Sequence, residues 1–534
     1  MNSNKQIPIL IGVSGHIDLN EADVKLLEQS VKNELSKIVN DYPDSPVALL
    51  TSLAAGADLL CADCAKSLGI PLIAALPMEA SEFTSSFSYT DKKRFESHLS
   101  DAAEAFVVPA TEEVPDDPSD DFWYRQAGIY ISEHSHILMA LWDGQRSQNT
   151  NSCGTSAAVG FSLNAEYKPA KALPLRNKDN TCVIHIFTPR AGIKGNCGEV
   201  KYLGNTDAVQ RLLNETNAFN KEGNAGTSDR SAYALLPAHE KDIVLDRLEA
   251  VYHAADCLSL KNAAIYKKLL ATLAVTSTII TVAFLLYDEL SLYWMLIVCG
   301  IMLVAAWVTR RNAEKLDCHK RYIEYRALAE SLRVSAFLRY AGSRLDASGL
   351  FTWTQKEDLS WIMTSVLALT AGPSPKEQRT IKECWVDAQK EYHEKAAEKT
   401  RAVQAGNDRV VGAALILSIL LYIAALVFEI FCGGMLSSPV VQTLDTELVR
   451  VIIKVAMGSI SAATLFMANY FGKQSLSRKA ADHAKMSRFY SEMGDMITRF
   501  GQSDEILAYI AKEELIENGN WSSYQQDNSI EFNL

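Results

Sequence analysis

Residues 7–15 read IPILIGVSG, and this stretch decides the fold of the N-terminal half. Apolar, β-favouring residues run straight into Gly12, Ser14 and Gly15, the pattern of a buried strand that ends in a tight turn. From Asn20 onward, Val24, Leu27, Val31, Leu35 and Ile38 fall at helical spacing. The same unit then recurs. VALLTSLAAGAD (47–58) is a strand, a small-residue turn and a helix starting near Gly56. PLIAALP (71–77), AFVVPA (105–110), SHILMALWDG (135–144) and CVIHIFTPR (182–190) are four further strands. Strands that alternate with helices predict a parallel sheet. Such sheets bind ligands beyond the carboxyl ends of their strands. The polar and small residues gather at those ends: Ser14, Gly15, His16, Thr51, Ser52, Gly56, Asp58, Trp142, Asp143 and Gly144. Glycines let a ligand approach the backbone, and N–H groups at helix starts suit phosphate.

Individual side chains carry open alternatives. Arg125, in FWYRQAG (122–128), is a candidate phosphate or ribose contact, because guanidinium binds oxyanions in bidentate fashion. Trp123 and Tyr124 are candidates for stacking on a base. The other reading is a helix that packs its aromatics inward and holds Arg125 in a salt bridge. His16 reads either as a ligand contact or as a turn histidine bonded to backbone, and Trp142 reads as core in preference to a stacking residue.

Outward from this half, the composition changes. The chain has 534 residues, too many for one core, and a formal net charge of -12, which does not suggest a nucleic-acid polyanion as main partner. Beyond Leu260 the apolar residues concentrate in four blocks of the length needed to span hydrocarbon, about 20 helical residues. They are residues 269–287, 290–308, 410–431 and 448–471. Lys261, Lys267, Lys268, Arg310, Arg311, Lys315, Arg409, Lys473, Arg478 and Lys479 flank them on one side. The connecting loops, 288–289 and 432–447, contain neither Lys nor Arg. The positive-inside rule therefore predicts a multi-pass protein of a cell membrane with both termini and the middle segment in the cytoplasm. Glu429 and Lys454 fall at comparable depth within the third and fourth spans. They read as an ion pair lining a gate or pore, or as two residues snorkelling separately. Gly458, Ser459, Ser461, Ala462 and Ala463 permit close helix approach.

Ten cysteines are scattered along the chain. The lone C-x-x-C of Cys61 and Cys64 lacks a second pair at zinc-ligand spacing and reads as buried thiols, so no metal is expected. The start, MNSNKQ, lacks the charged and apolar regions of a signal peptide. The regions 318–342 and 478–500 both follow a span and a basic turn with an amphipathic helix, so the second half echoes the first.

The stretches GVSGHIDL, TSLAAGADLLCADCAKSLGIPLIAALPM, ILMALWDG and SCGTSAAVGF, in that order over residues 7–190, resemble the SLOG superfamily. This group includes the Lonely-guy-type phosphoribohydrolases and the nucleotide-sensing domains of bacterial defence systems. In the hydrolases a PGGxGTxxE signature holds the phosphate and supplies a catalytic Glu. Residues 151–158 match it, with Gly154 and Thr155 on the Gly-Thr pair and Ala158 where the Glu stands. The resemblance thus implies nucleotide binding without turnover and no catalytic residue. YRALAESLRV and ELIENGNWSSYQQD are similar to the SLATT-type membrane effector modules that accompany SLOG domains.

The sequence as a whole predicts an α/β Rossmann-like cytoplasmic domain plus an all-α transmembrane region with four helices in two pairs and long cytoplasmic helices. The expected boundaries are 1–250 for the nucleotide-binding domain, 251–345 for the first helix pair, 346–404 for linker helices and 405–534 for the second pair. The expected ligand is a nucleotide-derived signal made by a separate enzyme, with no other cofactor. Membrane lipids and further copies of the chain complete the expected partners. The implied role is a membrane effector of anti-phage defence; the rival readings are a membrane-tethered nucleotide N-glycosidase and a nucleotide-regulated channel or transporter.

Overall fold

The computed structural model describes residues 5–145, 153–163, 178–190, 195–226, 234–431, 446–473 and 475–527. Strand β1 (Ile9–Gly15) is buried through its apolar positions and pairs on both sides. Its neighbours are β2 (Val47–Thr51) and β5 (Ile137–Trp142). The sheet continues through β3 (Leu72–Leu76) and β4 (Glu104–Val107) on one side, and through β6 (Cys182–Phe187) and β7 (Val200–Gly204) on the other. Seven strands stand in the order β4-β3-β2-β1-β5-β6-β7. All neighbours up to β6 are parallel, and β7 is antiparallel. The buried strands read as continuous apolar runs because both faces are covered. Strand β7 escaped the sequence reading: VKYLG is an edge strand with only partial burial and lacks such a run.

Helices cover the two faces. The helix α1 (Val24–Asp41) buries Leu27, Val31, Leu35 and Ile38, as its spacing predicts. Then follow α2 (Ala57–Ser67), the short α3 (Ala80–Phe83), α4 (Tyr89–Asp101), α5 (Asp120–His134), α6 (Thr155–Ser162) and α7 (Thr206–Gly226). Cys61 and Cys64 are buried on α2, and burial pushes both thiols up. Among the described residues no group of three or more ligand-type side chains is arranged to hold a metal.

The rest is helical: α8 (Ile243–Leu290), α9 (Met295–Leu316), α10 (Cys318–Tyr340), α11 (Ala347–Leu350), α12 (Trp353–Asp358) and α13 (Ser360–Thr370). After a π-helical turn at Lys382–Asp387 come α14 (Ala388–Phe431), α15 (Thr446–Lys473), α16 (Leu476–Phe500) and α17 (Asp504–Asp527). The chain forms two compact units built from non-contiguous segments. An α/β unit takes Met1–Leu258, Glu324–Ile381 and Gln502–Ser523; a helical unit takes Ser259–Ile323, Lys382–Gly501 and Tyr524–Leu534.

The linear division into four stretches is therefore replaced by an interleaved one. The physical reason lies in SWIMTSVLALT, the sequence of α13, which is apolar on nearly every side and buried from Trp361 to Leu369. Ala368 and Ala371 join the core on the α5 side of the sheet. Arg247 is buried, donates to Glu104 at 2.7 Å and donates to the carbonyls of Leu369 and Ala371. The Gly372 N–H donates to the Tyr130 hydroxyl at 2.9 Å. A stretch expected as linker is thus part of the α/β core.

In the helical unit, four helices are long and apolar enough to cross a membrane. Their apolar side chains, among them Leu415, Ile416, Leu420 and Ile423 of α14, are exposed. Each such side chain forfeits about 1.5–3 kcal/mol in water, so the surface suits hydrocarbon. Helix α8 extends past the expected loop at 288–289; the turn lies at 291–294, where Ser291 has φ +53. The echo between halves is visible in the backbone. Asp317 (φ +46) ends α9 and Ser475 (φ +49) precedes α16, each a left-handed break between an apolar helix and an amphipathic one. The expected loop 432–447 lies largely outside the described residues.

Candidate functional site

A cavity of about 740 Å³ opens at the carboxyl ends of β1 and β5. This is where the strand order reverses, because β2 to β4 lie on one side of β1 and β5 to β7 on the other. The volume is in the range of small-molecule sites, about 300–1,000 Å³. Ser14, Gly15 and His16 line it from the end of β1, Ser52 and Asp58 from the β2–α2 turn, and Trp142 and Asp143 from the end of β5. Cys153, Gly154, Thr155, Ser156 and Ala158 line it from the start of α6. Expected residues from three separate strand-to-helix connections, after β1, β2 and β5, thus converge on one space.

The glycines act chiefly through packing. A Cβ on Gly15 would meet the Ala57 Cβ at 2.3 Å, so Gly15 lets α2 start directly against β1. Gly56 has φ +81, and a Cβ there would lie 2.4 Å from the Ile17 carbonyl oxygen. Gly56, Thr51 and Gly144 (φ +81) shape the turns from behind and are not part of the wall.

Asp58 is held as a brace. Its carboxylate accepts from the Thr51 and Ser52 hydroxyls, both at 2.8 Å, and from the N–H groups of Ala54 and Ser52. Burial outweighs these bonds and raises its pKa to about 6. The carboxylate also occupies the first turn of α2, a place where negative charge is favourable. Anion binding at that helix start is therefore met from within the chain, and α6 presents the other helix start at the cavity.

His16 makes the backbone bond of a turn histidine and also faces the cavity. Its Nε2 accepts from the Asp143 N–H at 3.1 Å, which fixes the neutral form. Burial, then the nearby Arg190, lower its pKa. Asp143 Oδ1 accepts from the Gln145 N–H at 3.0 Å, and the Trp142 indole donates to the Gln145 carbonyl at 3.1 Å. Trp142 belongs to the core and also forms part of the wall.

Arg125 is held in a salt bridge and is not one of the cavity residues. Its Nε donates to Glu112 at 3.0 Å, its Nη2 donates to the other carboxylate oxygen at 3.2 Å, and the guanidinium stacks on Phe161 at 4.9 Å. It does not line the cavity, because α5 turns this face towards Glu112 and α6. Trp123 packs against the core. Tyr124 does line the cavity, beside Phe83 at 6.0 Å between ring centres; Phe83 and Phe87 are 5.2 Å apart. These rings form an aromatic wall, and Ser86 lies next to it. The sequence reading missed Phe83, Ser86 and Phe87, which lie in a short helix and turn after β3. It also missed Arg190, which lines the cavity and pairs with Asp18 at 2.8 Å. Its only signal was its place just past the end of β6.

In the helical unit the expected Glu429–Lys454 pair is replaced. Glu429 forms a two-pronged ion pair with Arg450, one contact being 2.9 Å, and Lys454 reaches Glu289 at 3.3 Å. Helices α14 and α15 run antiparallel here, so the level partner of Glu429 is one turn nearer the hairpin than Lys454. The two residues do border a common groove of about 500 Å³ between α14 and α15.

No family model matches the chain, and no curated protein matches it.

Proposed function

We propose that this protein is a membrane effector gated by a nucleotide-derived ligand. The observation that carries the reading is the cavity at the β1/β5 switch point. It combines hydroxyls of Ser14, Ser52, Thr155 and Ser156, the aromatic wall of Phe83, Phe87 and Tyr124, the guanidinium of Arg190 and the start of α6. An aromatic wall suits a base, hydroxyls suit a ribose, and a cation with a helix start suits a phosphate. The same polypeptide carries four helices apt for a bilayer. Both termini lie in the cytoplasm in this reading, where nucleotides are made. Helix α8 continues unbroken from Ile243, in the α/β unit, to Leu290, in an apolar hairpin.

The ligand acts by binding one arrangement of the chain better than another, since only differential affinity moves the equilibrium. The favoured arrangement lets ions pass, in an assembly of several copies. The resemblance of residues 7–190 to SLOG domains supports a setting in anti-phage defence, with a separate enzyme making the signal. Ala158 at the position of the hydrolases' Glu favours binding without turnover.

The test is a melting-midpoint screen of the full-length protein in detergent against AMP, ADP-ribose, NAD and cyclic dinucleotides. At least one nucleotide should raise the midpoint, and Ser14→Trp, which fills the cavity, should abolish the shift. No shift with any nucleotide, or release of free base on prolonged incubation, would overturn the reading.

A further inference from the structure

His16 lines the α/β cavity and is about nine-tenths buried. Because its Nε2 accepts from the Asp143 N–H at 3.1 Å, the ring is neutral and carries its proton on Nδ1. The carboxylate oxygen Oδ1 of the same Asp143 lies 3.5 Å from that Nε2. A second proton, on Nε2, would break the bond from the Asp143 N–H and make an ion pair with Oδ1. The ring would thus exchange one atom of Asp143 for another.

The charged groups around His16 decide which form prevails. Asp18 lies on the loop after β1, Asp143 follows β5, and Arg190 stands past the end of β6, paired with Asp18 at 2.8 Å. Burial, then Arg190, hold the ring below its ordinary pKa, against the pull of Asp143 and Asp18. Helix α2 brings Asp58, whose carboxylate is engaged by the hydroxyls of Thr51 and Ser52. Strand β6 brings His185, bonded to the Trp142 carbonyl at 2.9 Å, and the segment entering α6 brings Cys153, whose thiol burial pushes up. An anion in the cavity adds negative charge beside the ring and engages Arg190 as well. Both changes favour the imidazolium.

We propose that His16 takes up a proton when an anionic nucleotide enters the cavity, and that Asp143 then meets the ring with its carboxylate instead of its N–H. This rests on the nucleotide-binding reading above and adds its regulation: the ligand binds more tightly in acid. The Gln145 N–H donates to the same Asp143 oxygen at 3.0 Å, so the exchange reaches the turn that follows β5.

Calorimetric titration of the full-length protein in detergent with ADP-ribose, NAD and a cyclic dinucleotide tests it, since none of these ligands titrates between pH 6 and pH 8. Affinity should rise about five- to tenfold from pH 8 to pH 6, the effect of one linked proton. At pH 7 the binding enthalpy should vary with the ionisation enthalpy of the buffer in the sense of proton uptake. His16→Gln keeps a side-chain acceptor but cannot titrate, and its affinity should be independent of pH. Asp58→Asn removes the other lining group that titrates in this range and should keep the slope, which decides the matter should the Gln variant fail to bind. A flat profile in the wild type, a slope that persists in His16→Gln, or a slope lost in Asp58→Asn would overturn the proposal and leave nucleotide binding standing. Failure of all three nucleotides to bind would overturn both.

Discussion

At the residue scale, Asp58 and Arg125 show how a polar side chain near a site can serve the fold. Asp58 takes up its proton more readily in the folded protein, with a pKa of about 6 against 3.8 for an ordinary Asp. Its contribution therefore favours folding at low pH and is lost as the pH rises from about 4 to about 6. Denaturation midpoints of the wild type and Asp58→Asn at pH 4.5 and 7 should shift relative to each other in favour of the Asn variant at the higher pH. Asp58→Ala leaves the hydroxyls of Thr51 and Ser52 and the N–H groups of Ser52 and Ala54 without this acceptor and should cost about 2–4 kcal/mol at any pH. Arg125→Ala breaks a partly buried pair with Glu112 and a contact with Phe161, and should cost about 1–2 kcal/mol. Nucleotide affinity, measured by calorimetry, should survive that change. Arg125 was legible as an important residue, but its partner was not: Glu112 precedes it in a loop, and nothing in FWYRQAG fixes which side of α5 faces the cleft. Arg190 was passed over for the converse reason, since a single basic residue after a strand carries no pattern.

At the scale of elements, the parts with strong periodicity were legible and the parts defined by tertiary contact were not. The six parallel strands and α1 follow from apolar runs and helical spacing, whereas β7, with little burial, depends on β6 for its existence. The strand-end convergence was legible because each turn has the same cause, a small residue where a helix must start against a strand. Phe83 and Phe87 became a wall only through the fold of the segment after β3. The four apolar helices were read from composition, but their ion pairs depend on helix register, which moved Glu429 from Lys454 to Arg450. Small residues on α15 predict a further outcome. A Cβ on Gly458 would lie 2.7 Å from Leu285 Cδ1 of α8, a side-chain tip that can yield. Gly458→Ala should thus be nearly tolerated, and Gly458→Leu should separate α15 from α8 and lower the melting midpoint in detergent markedly.

At the scale of the whole molecule, the α/β unit is incomplete without segments from much later in the chain. A fragment 1–250 retains the cavity residues but lacks α13 and the Gly372 contact, so Arg247 and Glu104 lose their cover and apolar surface is left open. It should be poorly soluble and lack the near-ultraviolet circular dichroism of fixed aromatic packing. The interleaving also means that the chain passes between the α/β unit and the helical unit several times, once within α8. Gating by a nucleotide is read out by ion efflux from liposomes containing the full-length protein. Efflux should be slow for the protein alone, rapid once the nucleotide that raises the melting midpoint is added on the α/β side, and absent with Ser14→Trp. Efflux that is equal with and without that nucleotide, in the wild type and in the filled-cavity variant alike, would contradict it.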